Sequence, residues 1–368
     1  MKLNGICVLN LSKKGFTRLG CLSCHRIIYF DILRILATLG VMILHISAQN
    51  WDSISVTSFQ WQTFNFFDSI VRWTVPIFVM ISGAIFLDGD IIIKKIYKKN
   101  ILRIITAFIF WSTLYGLLAL NQGTSVKNVC VQVIRGHYHM WFLFMIVGLY
   151  LIVPLVKKIV ESPVLTKYFL ALALIFSFII PQILTILTYV SKTFENAINT
   201  GIENINLQFT AGYIIYFVLG YYLSKTDISK QIRYIIYVLS ILGFAITILG
   251  SSLISVRTNE PNSTLYGYFT LNVLMESLGL FVFFKYNVVS IKISGKMQII
   301  ITKLSNYSFG AYLVHAMVIE QLNNIFGLNT LSFNPILSVF AITFIVFVVS
   351  FLVSYICNHI VLLKKYIV

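Results

Sequence analysis

Repeated apolar runs, each about 20 residues long, are the feature that most limits what this chain can fold into. A helical run of that length crosses the hydrocarbon core of a bilayer, which is roughly 30 Å thick. The chain of 368 residues is 58% hydrophobic and only 11% charged, whereas a soluble domain carries about a quarter charged residues. We therefore predict an all-α polytopic integral membrane bundle of about ten transmembrane helices, near residues 27–48, 69–87, 101–120, 140–156, 168–188, 209–224, 232–253, 265–284, 304–322 and 335–362.

Lysine and arginine are concentrated in every second loop between these runs. The short cytoplasmic loops of membrane proteins hold most of these residues. With both termini cytoplasmic, 22 of them fall in inner segments and 4 in outer ones, the outer four being Lys127, Arg135, Lys192 and Arg257. We therefore predict residues 1–26 as a cytoplasmic N-terminal extension and residues 27–368 as the membrane domain. Topology explains the net charge of +16, so no nucleic acid partner is expected.

The five cysteines do not indicate a disulfide framework, because they are few and scattered. One string, Cys21 to His25, has the C-x-x-C-H spacing of covalent haem attachment. That attachment takes place outside the membrane, whereas this basic segment is predicted inside, so we favour a chance match. We predict no bound cofactor and no metal.

The first predicted helix carries a polar stripe, and burying charge in a bilayer is costly enough to indicate a function. At 100° per residue its members fall within an arc of about 80°. Arg34 and His45 are roughly 16 Å apart along the axis, with His45 nearer the outside, so one helix could hold both ends of an extended molecule. The alternative is a structural ion pair between Asp31 and Arg34. The members of the stripe are Asp31, Arg34, Thr38, Met42, His45 and Gln49.

Further polar residues fall within or at the ends of the other apolar runs. The ninth run has a second polar stripe, and the fourth begins with His139 and Trp141, which could equally form an interfacial aromatic belt. Arg72 lies within the second run, and Glu320 near the end of the ninth. The second stripe consists of Ser305, Ser308, Tyr312 and His315.

Four segments in order along the chain resemble motifs of the acyltransferase 3 family of bacterial membrane acyltransferases. They are the YFDILR string of residues 29–34 with the spacing from Arg34 to His45, VPIF with SG at 75–83, HMWFL at 139–143 and SFGAYLVH at 308–315. The subgroup that this chain is most similar to comprises stand-alone O-acetyltransferases of surface polysaccharides. The resemblance implies a multi-pass protein of the bacterial cell membrane that moves an acyl group from cytoplasmic acyl-CoA to an extracytoplasmic or lipid-linked glycan.

The resemblance also implies roles for single residues, with acetyl-CoA as co-substrate and membrane lipid, acyl-CoA and a glycan or lipid-linked saccharide as partners. Where the family has R-x-x-R at the start of the third helix, this chain has Asn100 and Arg103. We expect His45 as the base, with Arg34, Asp31 and His315 completing the catalytic group. Donor binding is assigned to Lys98, Lys99 and Arg103, although the topology alone would also explain this basic loop. The acceptor side is assigned to His139, Trp141, Tyr312 and Arg72.

Two other classes of function remain open from the residues. A proton-coupled transporter or flippase for a glycan or small anion would also place Arg34 and His45 in a membrane-buried site. The chain has no convincing internal repeat, which favours the enzyme. A membrane scaffold would not require a polar stripe. No segment between the runs is long enough for a soluble domain, so we expect the chemistry to take place within the bundle.

Overall fold

The computed structural model describes residues 27–90, 92–121, 123–190, 198–200, 212–288, 291 and 293–368, with backbone alone at 188–190. The predicted N-terminal extension, residues 1–26, lies outside these ranges. So do most of the predicted outer loop near 189–208 and the start of the run predicted at 209–224.

Every regular element in the described residues is helical, so the predicted all-α class is confirmed. Several helices are continued by a short π-helical or 3₁₀ turn, for example at Ile96–Ile101. We number the fifteen main helices α1 (Ile28–Ser47), α2 (Phe59–Ser69), α3 (Thr74–Phe86), α4 (Leu102–Asn121), α5 (Val126–Arg135), α6 (Trp141–Val160), α7 (Pro163–Leu174), α8 (Ile180–Val190), α9 (Ile214–Lys225), α10 (Lys230–Ala245), α11 (Ser251–Thr258), α12 (Leu271–Phe283), α13 (Gly295–Phe326), α14 (Pro335–His359) and α15 (Val361–Tyr366).

Eight helical stretches among the described residues are long and apolar enough to cross a membrane. Two of the ten predicted runs correspond to helices that are not both long and apolar. Helix α9 is apolar but has only 12 residues, and α13 has 32 residues but contains more polar side chains. The count of ten therefore stays a prediction. The eight stretches are Ile28–Asn50, Phe59–Phe86, Ile93–Asn121, Val126–Val160, Pro163–Leu187, Lys230–Thr258, Thr264–Val288 and Pro335–His359.

Large apolar side chains on the outside of the bundle support the membrane assignment. Val238, Ile241 and Leu253, along the seventh predicted run, are at least 65% exposed, as are Leu155 and Phe344 on other helices. A soluble protein rarely leaves so many contiguous apolar side chains in water. Facing lipid, they cost nothing, because acyl chains are as apolar as the side chains.

A turn interrupts the region predicted as the second helix. The sequence predicted one helix over 69–87, whereas a turn at residues 70–73 separates α2 from α3. Asp68 and Arg72 form an ion pair across this turn, so neither charge lies alone inside the bundle. Pro76, in the first turn of α3, has no N–H to leave unpaired there.

The C-terminal ends of α3, α6, α9 and α12 meet at one end of the bundle. Lys157, at the end of α6, donates to the carbonyl of Leu87 at 2.8 Å, and Lys225, at the end of α9, pairs with Asp88 at 2.7 Å. Lys285, following α12, donates to carbonyls at the end of α9. These four helices therefore run parallel, as alternate spans of a membrane bundle must.

The C-terminal residues of the chain pack at the same end as the start of α4. The side chains of Thr106 and Trp111 on α4 donate to the carbonyls of Tyr366 and Ile367. We call this the Arg34 end, because it is also where the stripe residue Arg34 lies, and the opposite end the His45 end. Which face of the membrane each end meets stays a prediction from the cation distribution.

Helices α3 and α9 cross in close contact through reciprocal glycines. A side chain at Gly83 would overlap the backbone carbonyl of Phe217, and one at Gly220 would overlap that of Met80. Close backbone approach allows dispersion contacts that supply much of the helix association energy in lipid. The expectation that Ser82 and Gly83 permit close helix approach is therefore met at Gly83.

Candidate active site

The polar stripe of α1 faces the inside of the bundle, along α13. Asp31, Thr38 and Met42 are almost fully buried. Near Arg34 the contact on α13 is Ser305, and near His45 it is His315. The residue number rises in the same direction on both helices, from Arg34 to His45 on α1 and from Ser305 to His315 on α13. The two helices therefore run parallel, and the two predicted stripes face each other along their length.

One cavity of about 320 Å³ contains both ends of this interface. Polar residues line it at the Arg34 end, mainly apolar and aromatic residues together with Ser308 line its middle, and polar and aromatic residues line the His45 end. The first group includes Arg34, Asn100, Arg103, Ser305 and Asn306; the second Val41, Leu44, Val75, Phe78, Phe142 and Ile146; the third His45, His139, Trp141, Tyr268 and Tyr312.

At the Arg34 end, one serine joins the two charged residues of the stripe. Ser305 donates through Oγ to Oδ1 of Asp31 at 2.6 Å, and Nη1 of Arg34 donates to the same Oγ at 3.0 Å. Arg34 Nη1 and Asp31 Oδ1 are 3.6 Å apart. The predicted ion pair therefore exists, and Arg34 also lines the cavity. Its hydrogen bond to Ser305 orients the guanidinium. Hydrogen bonds between a guanidinium and a charged group are stronger than those between neutral groups.

At the His45 end, residues from three predicted helices converge. The ring centroid of His45 lies 5.2 Å from that of His315, which lies 5.0 Å from that of His139. The hydroxyl of Tyr312 donates to the backbone carbonyl of His139. His45, His139 and Tyr312 line the cavity, whereas His315 is fully buried beside them.

Of the predicted donor-binding residues, the structure brings only Arg103 to the cavity. Lys98 and Lys99 are exposed and do not line it, whereas Asn100 does. Asn100, within the π-helical turn at Ile96–Ile101, and Arg103, at the start of α4, are three residues apart, and both side chains line the cavity.

Arg72, predicted on the acceptor side, does not line the cavity. It pairs with Asp68, and its guanidinium carbon lies 3.9 Å from the ring centroid of Tyr266. Tyr266 in turn donates to the side chain of Asn65 at 2.6 Å. These contacts hold the turn between α2 and α3.

Several cavity residues were not predicted as site residues. Tyr150 follows Phe142 and Ile146 at intervals of four on α6, so the helical spacing from His139 onward was a usable signal. Asn306 lies beside the second stripe rather than within its arc. Tyr268, in the loop before α12, had no signal of this kind.

We predict that Ser305→Ala destabilises the protein by about 1–3 kcal/mol, the usual cost of leaving a buried polar group without its hydrogen-bond partner. The substitution removes the donor to buried Asp31 and the acceptor for Arg34. Unfolding in a graded series of detergent and SDS mixtures measures the free energy. Ser308→Ala is the matched control, because that hydroxyl donates to the carbonyl of Leu304 within its own helix. Equal stabilities of the two variants would contradict the role of Ser305.

Comparison with known proteins agrees with the resemblance in the sequence motifs. The family model described as an acyltransferase domain, that of the acyltransferase 3 family, matches residues 27–355. No curated protein and no solved structure matches the chain. The match covers α1 through most of α14, including every helix that contributes to the cavity. The chain therefore belongs to the acyltransferase 3 family.

Proposed function

We propose that this membrane acyltransferase moves an acetyl group from cytoplasmic acetyl-CoA to a sugar hydroxyl of an extracytoplasmic or lipid-linked glycan. The observation that carries the proposal is the single cavity lined by Arg34 at one end and His45 at the other. Their separation of roughly 16 Å along α1 is comparable to the length of an extended pantetheine arm.

The Arg34 end has the chemistry expected for the donor. Arg34 and Arg103 line the cavity, and guanidinium groups bind phosphate and carbonyl oxygens through several N–H donors. Lys98 and Lys99 are exposed nearby, on the residues just before Asn100. We infer that they contact the nucleotide of CoA outside the cavity, while Asn100 and Arg103 contact the part that enters it.

The middle of the cavity suits the chain between nucleotide and thioester. Its mainly apolar walls would limit the water around an extended arm, which would protect a thioester from hydrolysis. The acetyl group would then lie near His45, and binding energy from the remote nucleotide would position it there.

The His45 end has the chemistry expected for the acceptor. The side chain of His45 reaches the cavity, and a neutral imidazole has a ring nitrogen that can accept a proton, as a base acting on a hydroxyl must. In the proposed step the hydroxyl oxygen bonds to the acyl carbon, its proton passes to His45, and the C–S bond breaks to release the CoA thiolate. His315 and Tyr312 support the imidazoles from behind, with the hydroxyl of Tyr312 already donated to His139.

Aromatic side chains at the His45 end support a saccharide as the acceptor. Trp141 and Tyr268 both line the cavity, with ring centroids 6.0 Å apart, and Tyr213 lies within 6.1 Å of each. Trp141 is 39% exposed, so part of its ring is open to a ligand. Aromatic faces provide flat apolar contact for the C–H groups of a sugar ring, while the polar ring atoms stay available for hydroxyls.

Acetyl-CoA labelled in two positions tests the proposal. We expect purified protein in lipid nanodiscs to move label from the acetyl group to an added glycan, whereas label in the adenine stays in the free CoA. The measurement is radioactivity in the glycan fraction, with alkaline release to identify an ester.

A transporter or flippase would give the opposite result. It would leave acetyl-CoA intact in nanodiscs and would move solute across the wall of a sealed vesicle. Intact acetyl-CoA with every glycan tested would therefore contradict the proposed transfer.

A further inference from the structure

A line of ionisable side chains leads from the cavity to the surface at the His45 end. It runs from His45 through His315 and His139 to His137, and from there to Glu320. The last two contacts are direct: Nδ1 of His139 and Nδ1 of His137 are 3.1 Å apart, and Nε2 of His137 is 2.9 Å from Oε1 of Glu320.

Burial decreases along this line. His315 and His139 are at most 1% exposed, whereas the side chain of His137 is 10% exposed and that of Glu320 is 38% exposed. A proton on the inner imidazoles therefore has a path to water that ends on a carboxylate. His137, the bridging ring, stacks on Tyr115 with centroids 4.2 Å apart.

The hydrogen bonds orient the imidazoles in one direction. A carboxylate only accepts, so neutral His137 donates to Glu320 through Nε2 and accepts at Nδ1 from His139. His139 then has a lone pair at Nε2. His315 has its Nδ1 against the carbonyl of Tyr312, so its lone pair is also at Nε2.

Those two Nε2 atoms are buried and have no hydrogen-bond partner among the residues that the structure describes. Their rings are neighbours, and a single water molecule can bridge polar groups at such separations. A buried acceptor without a partner is costly, so we expect such a water between the two rings, where it would complete the path from His315 to His139. Across the described ranges, no three His, Cys, Asp or Glu residues form a group that could hold a metal ion.

We propose that His45, His315, His139, His137 and Glu320 form a relay that carries the acceptor's proton out of the active site to the surface at the His45 end. The inference rests on the proposed acetyl transfer. As the new ester bond forms, the hydroxyl proton passes to His45 and along the imidazoles to Glu320, which releases it to water. The C–S electron pair leaves with the CoA thiolate, which takes up a proton from water at the Arg34 end, so charge and atoms balance.

Substitution of His137 tests the relay, because this residue lies outside the cavity wall. We expect His137→Ala to lower kcat for acetyl transfer by about 100-fold, the lower end of the range of general acid–base effects, with KM for acetyl-CoA and glycan unchanged. Added imidazole should restore the rate in proportion to its concentration, because it can accept the proton from His139 in the space left behind. A group with only a structural role would not respond to imidazole in this way.

Two further variants make the result decisive. His137→Gln retains a donor for Glu320 but cannot relay a proton, so it should also lower kcat by about 100-fold. Because its side chain keeps the contact with Glu320, this variant tests the relay even if His137→Ala does not fold. His359→Ala, at the exposed end of α14, should keep the wild-type rate and ignore imidazole.

The possible failures can be told apart. If the wild-type protein transfers acetyl groups and His137→Gln does so at the same rate, the relay is overturned but the proposed function stands. The same holds if His137→Ala is slow and added imidazole does not restore its rate. A wild-type protein that transfers no acetyl group to any glycan would overturn the proposed function, and the relay with it.

Discussion

His45→Ala should lower the rate of acetyl transfer by about 10²- to 10⁴-fold, the usual contribution of a general base. The imidazole lines the cavity at the end where aromatic side chains suit a sugar, and its ring neighbours, Tyr138 and His315, lie with centroids 5.1 and 5.2 Å away. Alanine removes the proton acceptor and leaves the Arg34 end unchanged, so the donor should still bind. The measurements are kcat from transfer of labelled acetyl groups and acetyl-CoA affinity from calorimetry in nanodiscs.

The control for His45 is a histidine outside the cavity. His359→Ala should transfer at the wild-type rate, since its ring contacts Tyr355 at the other end of α14. Thermal unfolding of both variants separates lost chemistry from lost structure. Full activity in a folded His45→Ala protein would refute the assignment of the base, whatever the acceptor is.

Gly83→Ala should destabilise the bundle by about 1–3 kcal/mol or more, the range for overpacking a close contact. The added carbon would overlap the carbonyl of Phe217, and a backbone atom cannot move aside as a flexible side chain can. Helices α3 and α9 must therefore separate, and α3 also lines the cavity through Val75 and Phe78. The loss should appear as a lower melting temperature and as less protein recovered in folded form.

The control for Gly83 is another helical glycine with free space around it. Gly148→Ala on α6 meets no atom within 4 Å. Intrinsic helix propensity favours alanine over glycine by about 1 kcal/mol, so this variant should be as stable as wild type or more so. A lower melting temperature for Gly83→Ala and an equal or higher one for Gly148→Ala would attribute the loss of stability to the contact between α3 and α9. Equal melting temperatures of the two variants would contradict this role of Gly83.

Some of the site could be read from single residues because the membrane makes polar groups conspicuous. Arg34, His45 and His315 each stood out in an apolar run, and helical spacing correctly assigned them to faces that turn inward. The pairing of Asp31 with Arg34 followed from spacing of three on one helix. Ser305, which joins them, was recognised as part of a stripe, but its partner on α1 was not.

Other parts of the site depended on how helices turn against one another. Lys98 and Lys99 carry the same charge as Arg103, yet the turn before α4 directs Asn100 and Arg103 to the cavity. Arg72 was conspicuous for the same energetic reason as Arg34, but its partner Asp68 lies across a turn that hydropathy did not indicate. The contact between His137 and Glu320 joins residues 183 positions apart, and neither showed a periodic signal.

The sequence by itself determined that this chain is an α-helical membrane bundle and which residues are too polar to face lipid. The reason is that the cost of burying polar groups in hydrocarbon acts on each residue separately. The four motifs, in order along the chain, also indicated its family. Only the tertiary structure decided that Arg34 and His45 share one cavity, that three histidines from different helices meet, and that a fourth links them to a surface carboxylate. These are contacts between distant segments, set by the packing of whole helices, and local periodicity carries no information about which faces pack together.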